Sequence, residues 1–379
     1  MMETILRRFS NVSIDWLLVG AILPLLGAGL ITMNSFTGDS YYFTRQLIWI
    51  VASLSVFLAF SFIDWRILRR TEVVATLYLL GCSALFVVFV FGHATRAAYS
   101  WFSVGGVSLQ PAEFMKLILV IMLAKYFTRR HVEIAHIRHI LVSGLYAFIP
   151  FVLIFIQPDF GSSVIIFFIW LGMTMVAGIS KKHLGIVFGL GAIAFLVLWG
   201  FVLADYQKAR IKTFVNPLSD IRGAGYNAFQ STVAVGSGQV LGKGVGFGSQ
   251  SRLKFLPEFQ TDFVFAAFAE EWGFIGVMIV FFLFGTVIWR ILGAGLVGAT
   301  NFETLFAVGL SIILMSHFVI HVGMNIGVLP VTGLPISFMS YGGSHMITVF
   351  AGLGILMGTR RYSLAYHRGD VHNEFVGPR

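Results

Sequence analysis

Few charged residues interrupt this chain, and several of them fall where charge is costly. Glu113 and Lys116 follow Gln110-Pro111 inside an otherwise apolar stretch. Three apart on a helix, they share a face and can pair. A structural ion pair and a direct substrate contact are the two readings of that spacing. Asp159 sits in Pro158-Asp159-Phe160-Gly161, where it can cap the following helix, line a site, or do both. Asp262 comes near the end of the run Pro257-Glu258-Phe259-Gln260-Thr261-Asp262-Phe263. Either Thr261 or Asp262 can cap the next helix, and a carboxylate at that boundary can also act as a general base toward a substrate hydroxyl. Glu270 and Glu271 precede Trp272-Gly273. The roughly 18 apolar residues that follow, up to Arg290, suffice for a span, so the pair is expected at an interface and solvated. His317 and His321 are spaced like a metal-binding pair, but no carboxylate or third ligand lies near them in sequence. They read as core histidines with satisfied hydrogen bonds.

Composition dictates what must position these groups. Hydrophobic residues make up 57% of the 379-residue chain and charged residues 11%, with a mean hydropathy of +0.86. A soluble domain carries roughly 25% charged residues, so soluble, disordered, collagen-like and disulfide-scaffold classes are excluded. The apolar residues run continuously rather than alternating, which points to membrane helices and not a barrel. Cys82 is the sole cysteine, so no intrachain disulfide forms. The net charge of +9 does not imply nucleic acid, because Lys and Arg sit in short tufts between apolar runs, where they orient a membrane protein.

A span needs about 20 mostly apolar residues. Ten stretches qualify, at about 14–35, 44–62, 73–92, 112–128, 139–157, 160–178, 183–204, 264–289, 304–328 and 342–359. Arg7 and Arg8 before the first resemble a signal sequence, but that stretch has no clear small-residue cleavage site and reads as a retained span. Arg66, Arg69, Arg70, Arg129, Arg130, Arg138, Lys181, Lys182, Arg290, Arg360 and Arg361 fall on the same side as Arg7 and Arg8, and the short connections opposite hold little besides Arg96. Both termini are therefore expected in the cytoplasm. The chain reads as one all-α membrane domain over 1–379 with a short cytoplasmic tail at 362–379.

One connection is far longer than the rest. Residues 205–262, between spans 7 and 8, hold Lys208, Arg210, Lys212, Arg222, Lys243, Arg252 and Lys254 against Asp205, Asp220, Glu258 and Asp262. Phe214, Tyr226, Phe229, Phe247, Phe255 and Phe259 are too many aromatics for a solvated tether, so an ordered extracytoplasmic cap is expected. Glycines recur at 236, 238, 242, 244, 246 and 248. That spacing fits neither a Walker loop nor a dinucleotide fingerprint. Backbone N–H groups freed by glycine can still cradle a diphosphate, with Lys243, Arg252 and Lys254 adding charge.

These residues also carry a resemblance. Gln110-Pro111-Ala112-Glu113-Phe114-Met115-Lys116, Gln157-Pro158-Asp159-Phe160-Gly161, Gly225-Tyr226-Asn227 with Gln230-Ser231, Gly242-Lys243-Gly244, Phe255-Leu256-Pro257-Glu258, Thr261-Asp262-Phe263, Glu270-Glu271-Trp272-Gly273 and Leu329-Pro330-Val331-Thr332-Gly333-Leu334-Pro335 occur in order. So do Phe43-Thr44-Arg45-Gln46 and Tyr341-Gly342-Gly343-Ser344. The chain resembles the SEDS proteins (shape, elongation, division and sporulation), the RodA type more than the FtsW type. It departs from them at His321, where Asn is frequent, at His345, where a small residue is usual, and at Gln260, where His is more usual.

The resemblance implies a peptidoglycan glycosyltransferase of the inner membrane that polymerises lipid II at the outer face, for elongation and rod shape. It implies a class B penicillin-binding protein and the elongation machinery as partners, and no nucleic acid. Asp262 would be the catalytic carboxylate. Glu113 and Lys116 match the family's paired charges and Asp159 its turn acid. Arg45 is a further diphosphate candidate, beside the basic residues of the cap and Glu258. The leaving group is already activated, so no nucleotide is needed, and the one cofactor candidate is a divalent cation, Mg2+ or Mn2+, which fits a diphosphate leaving group. Composition alone leaves open a lipid II flippase and a noncatalytic scaffold for the transpeptidase.

Overall fold

The structure, a computed structural model, describes residues 14–35, 41–91, 93–95, 98–104, 107–128, 137–203, 205–216, 224–253, 255–256, 258–298 and 300–373. Arg7, Arg8, Arg96, Arg129, Arg130, Asp220, Arg222 and Lys254 lie outside the described residues.

Helices stand in each expected stretch: α1 (Trp16–Asn34), α2 (Tyr41–Phe62), α3 (Thr71–Phe91), α4 (Pro111–Thr128), α5 (Ile137–Ile156), α6 (Phe160–Ala177) and α7 (Lys181–Val197). The long connection carries α8 (Asp205–Val215), α9 (Ala224–Ser237) and the single turn α10 (Ser249–Arg252), so about half of it is helix. The chain then forms α11 (Val264–Leu296), α12 (Asn301–Asn325) and α13 (Gly343–Asn373). Among the described residues, 8 of these helices are long and apolar enough to cross a membrane. The two that fall short are α4, which carries Glu113, Lys116 and Lys125, and α13, which opens on Gly343-Ser344-His345 and carries Arg360 and Arg361.

Local chemistry sets the helix ends. The Asp15 carboxylate accepts the Leu18 N–H at 3.2 Å at the start of α1. Thr300 and Glu303 form a reciprocal capping box on α12. Each satisfies donors that a helix start leaves bare. Helices approach one another closely where glycine allows it. A Cβ on Gly172 of α6 would lie 2.7 Å from Ile312 Cδ1 on α12, and small residues at such crossings are how helices pack without a hydrophobic drive between them. By contrast α7 buries none of its residues and ends in a π-helical turn, Leu198–Val202.

Two ends result. At one lie two charged groups, Asp15 with Arg290 and Arg360, and Arg69 with Glu303 and Lys125; here it is called the basic end. At the other, the loop-rich end, lie the cap, the segment 326–342 between α12 and α13, and a small antiparallel sheet that the sequence did not announce. In that sheet β1 (His93–Thr95) pairs with β2 (Ala98–Val104), and β2 with β3 (Val107–Leu109), in the register Phe102↔Leu109.

The cap grips α11 at a break in that helix, and here the expectation of solvated glutamates is corrected. Gly273 adopts φ 64 and ψ −167 inside α11, a conformation that only glycine takes readily. The broken turn leaves backbone groups unpaired, and the glycine-rich segment takes them up. Lys243 and Gly244 N–H groups donate to the Glu270 and Glu271 carbonyls at 3.0 Å, while Phe274 N–H donates to Gln239 O at 2.9 Å and Ile275 N–H to Val240 O at 3.1 Å. A Cβ on Gly242 would lie 2.1 Å from the Glu271 carbonyl. Glu270 and Glu271 are therefore 0% and 1% exposed, covered by the cap rather than solvated.

Candidate active site

The six residues ending at Phe263 form a tight turn. The Glu258 carbonyl accepts the N–H groups of Thr261, Asp262 and Phe263 at 3.1, 3.1 and 3.3 Å. Glu258 itself takes a positive φ of 53°, uncommon for a residue with a side chain and typical of functional sites. Phe259 and Phe263 are buried with Leu256 and Ala267 and anchor the turn. Asp262 is left half-buried, and its backbone carbonyl accepts from Asn325 Nδ2 at 3.1 Å. Gly333 faces it: a Cβ there would stand 3.5 Å from Asp262 Oδ2, and its φ of +75 disfavours a side chain in any case. A half-buried carboxylate on so fixed a turn, with a glycine opposite, can take a proton from an incoming hydroxyl.

Under this turn lies a buried polar layer that joins residues far apart in sequence. Lys116 Nζ donates to Glu113 Oε1 at 2.6 Å and lies 3.0 Å from His317 Nε2. Glu113 Oε2 lies 2.8 Å from His345 Nδ1. Both charged residues are essentially sealed, at 3% and 0% exposure, so the ion pair is satisfied within the protein and out of contact with solvent. Glu113, His317 and His345 offer ligand atoms within 4.8 Å of one another, but the Lys116 ammonium already serves that group as its cation. His317 thus finds its company on α4 and α13, whereas His321, the other half of the pair seen in sequence, is not part of that trio, and its Nε2 is buried without a hydrogen-bond partner. The His317 imidazole is a satisfied core group.

Asp159 caps α6: Ser162 N–H donates to its Oδ1 at 3.0 Å and Gln110 Nε2 to its Oδ2 at 2.7 Å. Desolvation pushes this carboxyl above its ordinary range, against the lowering effect of the Ser162 bond. Capping and support of the site thus coincide, since Gln110 N–H also donates to Ser344 Oγ at 3.0 Å. At the rim, the Arg45 guanidinium lies 4.7 Å from the centre of the Tyr41 ring, and its neighbour Gln46 donates to Ser340 O at 3.1 Å.

Of the basic cap residues, Arg252 is exposed, whereas Lys243 Nζ sits 2.7 Å from Glu270 Oε1. Glu270 also accepts Ser249 Oγ at 3.1 Å and Gln250 N–H at 3.2 Å. The amides expected to cradle a diphosphate are used inside the protein: Lys243 and Gly244 on α11 carbonyls, and Gly246 on Glu271 Oε1 at 2.6 Å. The glycine spacing serves the crossing with α11. A cavity of about 230 Å³ opens between α8, α9 and the segment after α12, lined by Arg210, Thr213, Phe229, Thr232, Pro330 and Val331 among others. Val331 also packs on the Phe259–Phe263 cluster beside Asp262.

Sequence reasoning missed Asn325 and Ser340, and named Gln110 and His345 without giving them a place in the site. Each is a polar side chain in an apolar run, and that signal, applied to charges alone, reaches amides and hydroxyls equally.

Residues 10–364 match the family model of the FtsW, RodA and SpoVE cell cycle proteins. The chain is 37% identical over 281 residues to the peptidoglycan glycosyltransferase MrdB of Escherichia coli K12, covering 74% of this chain and 76% of that one. It is 35% identical over 367 residues to stage V sporulation protein E of Bacillus subtilis, covering 92% and 97%. Its structure resembles that of the rod shape determining protein RodA of Thermus thermophilus, with a TM-score of 0.70 and 27% identity over 92% of this chain and 97% of that one. It also resembles a chain from a peptidoglycan synthase complex that coordinates polymerization and crosslinking, with a TM-score of 0.79 and 28% identity over 93% and 99%. The chain belongs to the FtsW, RodA and SpoVE family.

Proposed function

We propose that this chain is a peptidoglycan glycosyltransferase that polymerises lipid II, with Asp262 as the general base. The observation that carries the assignment of the base is the half-buried Asp262 carboxylate, fixed by the Glu258 turn and facing Gly333. The GlcNAc 4-hydroxyl of the acceptor gives its proton to Asp262 while its oxygen attacks the anomeric carbon of the donor MurNAc. The bond from that carbon to the diphosphate oxygen breaks, and the polyprenyl diphosphate leaves with the electron pair. The leaving group is already activated, so no nucleotide is consumed.

Exposed Arg210 and Arg252, with Lys254 and the rim residue Arg45, supply cationic charge for the diphosphate. Mg2+ or Mn2+ carried with the diphosphate would add to that neutralisation, and Glu258 and Asp262 are the oxygen donors at hand. Lys243 supports the cap through Glu270. Glu113, Lys116 and Asp159 support the site from beneath. The basic end, rich in arginine and lysine, faces the cytoplasm of the inner membrane under the positive-inside rule, which puts Asp262 on the outer face, where lipid II is polymerised. A class B penicillin-binding protein is the partner that would crosslink the product, and elongation for rod shape is the cellular role.

The test is polymerisation from lipid II by the purified chain with its partner. Asp262→Asn should lower the rate by about 10²- to 10⁴-fold, the range a general base supplies, while remaining folded. Full polymerisation by that variant would end the assignment of the base. Wild-type protein that moves lipid II across the bilayer without joining it would establish a flippase instead.

A further inference from the structure

We infer that His317, His321 and His345 are positioning residues that set the place of the Gly333 segment against the Asp262 carboxylate; this rests on the glycosyltransferase reading above. Asp262 is fixed on one side by its own turn. What faces it is a segment without regular structure, residues 330–336, and such a segment holds its place only if its backbone groups are tied down.

The ties run to the histidines. His321 Nδ1 lies 2.7 Å from the Leu334 carbonyl oxygen and His317 Nδ1 lies 3.0 Å from that of Pro335. His345 Nε2 lies 2.8 Å from Ser337 Oγ. Leu334 is the residue next to Gly333. A carbonyl only accepts, so both Nδ1 atoms carry the proton, and His317 Nε2 is left bare to accept from the Lys116 ammonium. His345 Nδ1 faces the Glu113 carboxylate and donates to it, and its Nε2 shares a hydrogen bond with the Ser337 hydroxyl, which can either donate or accept. Partner chemistry thus assigns the Nδ1–H neutral tautomer to His317 and places a proton on the Nδ1 of His321 and His345.

The same segment is bonded to the turn on its other side. Ser340 Oγ donates to Thr261 O at 2.8 Å and Tyr341 N–H to Gln260 O at 2.9 Å. Asn325 Nδ2 donates both to His321 O at 2.8 Å and to Asp262 O at 3.1 Å. The buried layer, the 333–341 segment and the turn carrying Asp262 are therefore one hydrogen-bonded stack. Its bottom is sealed from solvent and its top is open. Fixing a reacting group through neighbours in this way matters because a displacement of about 1 Å can cost 10²-fold in rate.

The experiment compares His321→Leu, which removes the donor to Leu334, with His321→Asn, whose amide N–H stands where Nδ1–H stood. Polymerisation kcat and KM for lipid II are measured with the partner present, per folded, monodisperse molecule. His321→Leu should lower kcat by about tenfold to hundredfold, with KM little changed, and His321→Asn should recover most of the loss. In an Asp262→Asn background His321→Leu should add nothing, because both act at one point. A kcat equal to wild type in His321→Leu, or a loss that His321→Asn does not recover, overturns the inference. Should His321→Leu fail to fold, the pair His345→Ala and His345→Gln makes the same comparison, since glutamine retains a polar group at the position of Nε2 for Ser337. Failure of the wild-type protein to polymerise would instead sink the functional reading, so the two failures are distinct.

Discussion

At the basic end, Asp15 gathers Arg290 at 2.5 Å and Arg360 at 3.1 Å, and Arg69 reaches Glu303 at 2.5 Å. The carboxylates there are buried, but the arginine side chains remain 28%, 20% and 38% exposed. Near the loop-rich end, Glu113 and Lys116 pair at 2.6 Å with side-chain exposures of 4% and 0%, and their remaining partners are imidazoles and no solvent. The first arrangement keeps its cations in reach of water, so a lost partner is replaced by solvent. The second has no such reserve: every group depends on a neighbour from another helix. Two clusters of similar composition thus differ in what each charge does when its partner is removed, and the difference follows from burial.

The largest test of that contrast is Lys116→Met. It strands the Glu113 carboxylate in a sealed layer and should cost about 3–5 kcal/mol, seen as lost monodisperse protein and a much lower melting temperature. Glu113→Lys combined with Lys116→Glu should recover part of the loss, because the pair is regained while the histidine contacts are not. A Lys116→Met protein that melts where the wild type does would erase the distinction between the two ends. Next in size is Gly273→Ala in the cap crossing. Its Cβ would lie 2.2 Å from the Gly242 backbone nitrogen, at a φ of +64. Backbone strain alone should cost about 1–3 kcal/mol, and the readout is faster hydrogen exchange at the Lys243 and Gly244 amides than in wild type.

How much of this the sequence disclosed depends on the distance over which each feature is determined. The helices were legible because an apolar run of sufficient length is a local property, and Glu113, Lys116 and Asp262 stood out because charge in such runs is rare. Glu270 and Glu271 were misread. Their burial depends on a kink at Gly273 and on a segment about thirty residues away that covers it, and periodicity reports neither. His345 was noticed only as a departure from the family, since its partner Glu113 is 232 residues distant. The small sheet escaped because its strands are short and lie between two strong apolar signals. Asp262 itself could be picked out as a carboxylate at a membrane boundary, but the Glu258 turn, the Asn325 contact and the facing Gly333 all come from elements that only folding brings together.

The smallest effect belongs to the basic end and sharpens the comparison from the other side. Arg360→Ala removes one of two arginines on Asp15, and Arg290 stays, donating through Nε at 2.8 Å and through its terminal amine at 2.5 Å. The Leu18 N–H bond to Asp15 is also untouched, so the carboxylate keeps a charge partner and a cap role. The expected loss is at most about 1 kcal/mol, in the range of a partly exposed ion pair, with polymerisation per folded molecule unchanged. Raising the salt concentration should reduce even this difference, because the pair is partly screened, whereas it should leave the Lys116→Met deficit in place. A salt-insensitive loss of several kcal/mol from Arg360→Ala would mean that the basic end is as intolerant as the buried layer, and exposure would no longer explain which charges the fold can spare.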